Sequence, residues 1–158
     1  PRVCEHKKIK YFYKFRTMHP YAEYIQQYVF DARGGMDIAN KSNDDWRITT
    51  WGRFMRKYWL DELPMLINWI KRDMKLVGVR PISKTMFDTY PEWLQEKRTL
   101  CKPGLIPPFY IDHPKTFDEL FASEDKYLTE YLAHPFRTDV KYFFLTMWSI
   151  LTRKTHSA

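Results

Sequence analysis

The sequence predicts an α+β fold, predominantly helical, in which short strands and several short helices surround an Asp-Glu pair at a helix N-terminus and an amphipathic helix closes the chain. Three patterns predict it: one alternating run near the start, one brief β-branched run in mid-chain, and apolar residues at helical spacing nearly everywhere else.

From Ile9 to Arg16, apolar or aromatic residues occupy every odd position, the period of a half-buried strand, so Lys14 and Arg16 share its other face. Between Tyr21 and Asp45 the pattern is irregular, with a Gly34-Gly35 turn and a polar loop from Asn40 to Asp44, and this stretch is expected to be mobile. Thr49 or Thr50 can cap a helix through Trp51 to Tyr58, with Phe54, Met55 and Tyr58 inward and Arg53, Arg56 and Lys57 outward. A second helix follows, capped by Asp61. Its stripe of Leu63, Leu66, Ile67, Ile70 and Met74 should face the core, and Pro64 is tolerated in its first turn.

Lys75 to Pro81 reads as a brief strand stopped by proline, with Arg80 at its end. Ser83 and Pro91 start two short helices. Thr116 and Glu119 form a capping box for a helix to about Leu132, offering Leu120, Phe121, Leu128, Tyr131 and Leu132 to the core. The last helix runs from Thr138 or Asp139 to Arg153. It carries Tyr142, Phe143, Met147, Trp148, Ile150 and Leu151, and is flanked by Lys141, Arg153 and Lys154.

The 158 residues, 44% hydrophobic, suffice for one domain with one core, and no linker composition divides them. Two cysteines, Cys4 and Cys101, exclude a disulfide framework or a CxxC zinc site. A net charge of +7 with 18% aromatic residues, roughly twice the ordinary share, suits a phosphate-bearing partner. No stretch is long and apolar enough to span a bilayer. The basic residues are spread rather than clustered, which argues against nucleic acid.

The chemistry centres on Asp61 and Glu62. Adjacent carboxylates repel each other unless a cation joins them, and Mg²⁺ is commonly held by one or two carboxylates together with substrate phosphates. Lys14, Arg16, Arg47, Arg56 and Arg80 flank the pair in the chain, and guanidinium groups bind phosphate oxygens through paired hydrogen bonds. The commoner role of an acid at a helix start is capping, and of an exposed arginine, solvation.

These residues occur as an ordered series: Lys14-Phe15-Arg16-Thr17-Met18, Asp45-Trp46-Arg47-Ile48-Thr49, Gly52-Arg53-Phe54-Met55-Arg56, Leu60-Asp61-Glu62-Leu63-Pro64, Asn68, Asp73-Met74 and Leu76-Val77-Gly78-Val79-Arg80-Pro81. The series resembles the bacterial sugar transferase family, monotopic phosphoglycosyl transferases that start glycan assembly on polyprenyl phosphate. The resemblance implies that Asp61 is the nucleophile, that Glu62 holds Mg²⁺, and that Lys14, Arg16, Arg56 and Arg80 bind substrate phosphates. It makes Arg47 and Asp139 supporting polar residues.

The implied substrates are a nucleotide diphosphate sugar of the UDP-sugar type and polyprenyl phosphate. The implied location is the cytoplasmic face of the inner membrane, reached through an N-terminal re-entrant helix that would precede Pro1, with the aromatic last helix lying at the membrane surface. Leu105 to Tyr110 depart from the family's threonine-glycine and glutamine-containing continuation, and Arg72 and Val79 replace a usual glycine and proline. The rival reading is a non-catalytic scaffold or membrane-surface domain that keeps the family fold.

Overall fold

A computed structural model describes residues 1–25, 28 and 45–153. The expected Gly34-Gly35 turn, the Asn40 to Asp44 loop and Lys154 lie outside these residues. The architecture is α+β and predominantly helical, with strands β1 (Arg2–Val3), β2 (Ile9–Lys10), β3 (Lys75–Val77) and β4 (Gly104–Ile106). The α-helices are α1 (Thr50–Lys57), α2 (Met65–Ile70), α3 (Lys84–Asp88), α4 (Glu92–Arg98), α5 (Phe109–Asp112), α6 (Phe117–Ala133) and α7 (Pro135–Arg153), and short 3₁₀ turns lie at Glu5–Lys7, Pro20–Glu23 and Leu60–Glu62. Two compact units result, one from Pro1–Tyr13 with the chain from Met65 onward, the other from Lys14–Pro64.

In the larger unit, β1 pairs antiparallel with β2 in the register Arg2↔Lys10, around a tight turn where His6 and Lys7 adopt positive φ. The alternating run from Ile9 to Arg16 was expected to be a strand throughout, but the ladder ends at Lys10. Instead of a neighbouring strand, Tyr11 and Tyr13 meet the Asn68 side chain, whose amide donates to the Tyr11 carbonyl at 2.7 Å and accepts from the Tyr13 N–H at 3.0 Å.

That contact also turns α2 over. Its expected inward stripe is exposed at Leu63, Leu66, Ile67 and Ile70, while Met65, Asn68 and the following Met74 are buried. Burial of Asn68 satisfies two backbone groups that no ladder reaches, and this outweighs the apolar periodicity.

β3 and β4 pair in parallel, Lys75↔Gly104 and Val77↔Ile106, with α3 and α4 in the connection between them. The strands approach so closely that a Cβ on Gly104 would lie 2.0 Å from the Gly78 nitrogen. Ser83 caps α3 by accepting from the Met86 N–H at 3.2 Å, and Thr116 caps α6 by accepting from the Glu119 N–H at 3.2 Å. Both caps follow the sequence expectation. The Glu119 carboxylate reaches the Lys115 N–H rather than that of Thr116.

Helices α5, α6 and α7 pack against one another. Leu120 and Leu128 of α6 are buried as expected, but Leu132 is exposed and Tyr127 takes the deepest place. Helix α7 begins at Pro135, earlier than Thr138, because proline suits the first helical turn. Tyr142 is buried, whereas Trp148 and Leu151 project outward.

In the smaller unit, Thr49 caps α1 through the Gly52 N–H at 2.9 Å. Gly52 is the buried residue of this helix, and Phe54 and Tyr58, expected inside, are exposed. A Cβ at Gly52 would lie 2.1 Å from the Thr17 carbonyl oxygen, so close helix-to-chain contact replaces side-chain packing here.

Candidate active site

The Asp-Glu pair does not cap a helix as its sequence position suggests. Asp61 and Glu62 lie within a single 3₁₀ turn, Leu60–Glu62, and α2 starts only at Met65. Trp59 enters the turn in the left-handed region at φ 55°, which reverses the chain directly before the acids. The Asp61 carbonyl accepts from the Phe15 N–H at 3.0 Å, so the Lys14 to Met18 segment is fastened beside the pair.

This fastening brings four of the sequence-named groups together. Lys14 Nζ donates to Glu62 Oε1 at 2.5 Å. Arg56 Nε donates to the Thr17 hydroxyl at 2.9 Å, which fixes the guanidinium on the side of α1 facing that segment. Asp61 is 8% exposed, and its Oδ1 has no hydrogen-bond partner among the described residues.

Burial pushes the Asp61 carboxyl above its ordinary value. The charge of Lys14 opposes that shift, Glu62 adds to it and Arg56 opposes it. A buried, under-solvated carboxylate between two cations and a second acid is therefore the electrostatic centre of this unit. Thr17, which sequence reasoning left without a role, orients Arg56.

Arg47 is buried and forks onto Asp45, with Nε 2.9 Å from Oδ1 and Nη2 2.6 Å from Oδ2. This clamp secures the turn before α1, because the Arg47 carbonyl in turn accepts from the His19 N–H at 2.9 Å. Arg16 is exposed.

Arg80 and Asp139 belong to the larger unit. Asp139 Oδ1 and Oδ2 receive Lys75 Nζ at 2.9 and 3.0 Å, and the Tyr127 hydroxyl donates to Oδ1 at 2.7 Å. Lys75 Nζ also stands 3.2 Å from the centroid of the Tyr131 ring. Burial lowers the Lys75 pKa, and Asp139 resists that shift. This cluster joins β3, α6 and α7. Its lysine was legible only as the first residue of a strand.

Among the described residues, no group of three or more His, Cys, Asp or Glu side chains gathers as a metal cage. Mg²⁺ rarely uses such a cage. It binds one or two carboxylates and completes its octahedron with phosphate and water oxygens, and the adjacent acids with the partnerless Asp61 oxygen fit that demand.

The family model described as bacterial sugar transferase matches residues 1–153. Galactosyl transferase CpsE of Streptococcus agalactiae is 34% identical over 153 residues, covering 95% of this chain and 33% of that protein. Undecaprenyl-phosphate galactose phosphotransferase of Salmonella typhimurium is 38% identical over 108 residues, 66% of this chain and 22% of that protein. UDP-glucose:undecaprenyl-phosphate glucose-1-phosphate transferase of Caulobacter vibrioides is 36% identical over 94 residues, 58% of this chain and 31% of that protein. The chain thus spans a third or less of the length of these relatives. With the match extending over nearly its whole length, the chain belongs to the bacterial sugar transferase family.

Proposed function

We propose that this chain is the catalytic part of a phosphoglycosyl transferase that moves a sugar 1-phosphate from a nucleotide diphosphate sugar to polyprenyl phosphate through a covalent intermediate on Asp61. The observation that carries the reading is the buried, partnerless Asp61 oxygen beside Lys14 and Arg56. The names of the Salmonella and Caulobacter relatives support the substrate classes, and the second of them supports UDP as the nucleotide.

In the first displacement an Asp61 carboxylate oxygen attacks the phosphorus that carries the sugar. The bond from that phosphorus to the nucleoside monophosphate oxygen breaks, and its electron pair departs with the nucleotide. In the second, an oxygen of polyprenyl phosphate attacks the same phosphorus. The Asp61–phosphorus bond breaks and the carboxylate is restored. Two displacements at one centre replace a single reaction between two phosphate-bearing substrates.

The raised basicity of Asp61 favours attack, while Lys14 and Arg56 keep enough positive charge nearby to maintain the anion and to draw in a diphosphate. Glu62 and Asp61 would hold Mg²⁺, which supplies charge neutralisation on the phosphoryl oxygens. Lys14, bound to Glu62, orients that carboxylate. Arg56, held by Thr17, would bind a substrate phosphate.

The exposed stripe Phe136, Val140, Phe144, Trp148 and Leu151 on α7, spaced by four and then three residues, supports contact with a membrane surface.

The decisive experiment is intact-protein mass after incubation with a panel of nucleotide sugars and Mg²⁺. We expect an increase equal to one sugar phosphate, with release of nucleoside monophosphate, and neither with Asp61→Asn. An adduct on Asp61→Asn, or turnover by that variant, refutes the nucleophile. Failure of every donor to yield nucleoside monophosphate favours the scaffold reading.

A further inference from the structure

Three rings stand in a row at the surface of the smaller unit. The His19 and Tyr21 centroids lie 5.3 Å apart with planes 7° from parallel, and Tyr21 and Trp46 follow at 6.1 Å and 25°. Tyr21 is common to both pairs, so among the described residues His19 and Trp46 are the ends of the row. Tyr21 is 45% exposed and Trp46 is 54% exposed. Rings that serve a core are buried, whereas these are ordered against one another at the surface.

The main chain beneath each ring is fixed. Trp46 lies between Asp45 and Arg47, both buried and joined by the fork described above. Tyr21 belongs to the Pro20–Glu23 turn, whose buried Ala22 donates its N–H to the His19 carbonyl at 3.0 Å. The His19 N–H reaches the Arg47 carbonyl, and Met18 and Ile48 form an antiparallel bridge beside it. A row on such supports loses little freedom when a further flat ring is added to it, which favours binding.

The segment that carries the row also runs to the acids. Its Phe15 N–H is bonded to the Asp61 carbonyl, its Thr17 hydroxyl receives Arg56, and its His19 opens the row. Four fully extended residues span at most about 14 Å. The His19 main chain is therefore no farther than that from Phe15, within the reach of an extended nucleoside diphosphate. In the proposed displacement the phosphorus that bears the sugar meets Asp61, and the nucleoside trails away from it. Its planar unsaturated ring is the base, and the indole offers the largest π-face in the row.

We propose that Trp46, backed by Tyr21 and His19, is the platform on which the base of the nucleotide sugar stacks. The platform rests on the proposed function for the direction in which the donor lies.

The full chain is titrated calorimetrically with uridine 5′-monophosphate and, separately, with ribose 5-phosphate, which has the same sugar and phosphate without the base. Uridine 5′-monophosphate should bind the more tightly. Trp46→Ala should weaken it about tenfold, the scale of one lost stacking partner, and leave ribose 5-phosphate unchanged. Trp46→Phe keeps a ring and should recover most of the loss. Trp46→Leu keeps apolar bulk without a π-face and should behave as Trp46→Ala, which decides the matter if the alanine variant fails to fold. Equal affinity for the two ligands in the parent chain overturns the platform, as does an unchanged affinity for uridine 5′-monophosphate in Trp46→Leu or an equal loss of both ligands in that variant.

In turnover, Trp46→Leu should raise KM for the nucleotide sugar and leave KM for polyprenyl phosphate as it was. Affinity for uridine 5′-monophosphate that depends on Trp46, with no adduct from any donor, sustains the platform and defeats the transferase reading. An Asp61 adduct formed with unaltered KM for the nucleotide sugar in Trp46→Leu sustains the transferase and defeats the platform.

Discussion

Asp61, the proposed nucleophile, weakens the fold that carries it. Because its carboxyl is held above the ordinary value, it takes up a proton more readily in the folded chain than in the unfolded one. The folded state therefore binds more protons between the ordinary and the raised value. Stability contributed by this group falls as pH rises through that window and stays lowered above it. Asp61→Asn should accordingly raise the thermal unfolding midpoint at pH 7, and the gain should vanish below the ordinary carboxylate range, as differential scanning at several pH values will record. The acid limb of the activity profile should likewise lie above that of an ordinary carboxylate. Glu62→Gln removes the charge that meets Lys14 and half of the proposed Mg²⁺ donors; we expect activity lost with poor rescue by added Mg²⁺, and full turnover at ordinary metal levels would exclude the ligand role. The pair itself was legible as two neighbouring acids in an ordered motif. Its environment was not: the Phe15 N–H reaches the Asp61 carbonyl from far along the chain, and a capping rule reads only neighbours.

Helix boundaries set by caps were readable, since Thr49, Ser83 and Thr116 each act within three residues of their own position. Which face of a helix is buried was not readable for α1 or α2. Apolar periodicity identifies one side of a helix without saying whether protein lies against it, and the polar Asn68 claimed the inside through contacts 57 and 55 residues away in sequence. At α1 the missing knowledge was the approach of Thr17, which leaves room for no side chain at position 52. Gly52→Ala should cost about 1–3 kcal/mol of stability through overpacking against backbone, measurable as a shifted denaturant midpoint. On α7 the outward side chains can be changed without disturbing the core. Phe144→Glu and Trp148→Glu should keep the unfolding midpoint within a few degrees yet reduce sedimentation with anionic vesicles severalfold.

For the molecule as a whole, the net charge of +7 governs its encounter with anionic surfaces. Vesicle association should weaken steeply between low and physiological salt, where the screening length shortens to about 8 Å, and a residual salt-resistant fraction should depend on the α7 aromatics. Composition announced the positive field at once, but gave no hint that Arg98 and Glu124 would meet inside the larger unit, because charged residues are seldom that deeply buried. The contact between β3 and β4 carries a consequence for how this chain can vary over time. Gly78 and Gly104 lie against each other so tightly that a methyl group on Gly104 finds backbone 2.0 Å away, and one on Gly78 finds it at 2.9 Å. Neither position can drift alone, and the connection carrying α3 and α4 can be lengthened or exchanged only if both of its ends stay bare.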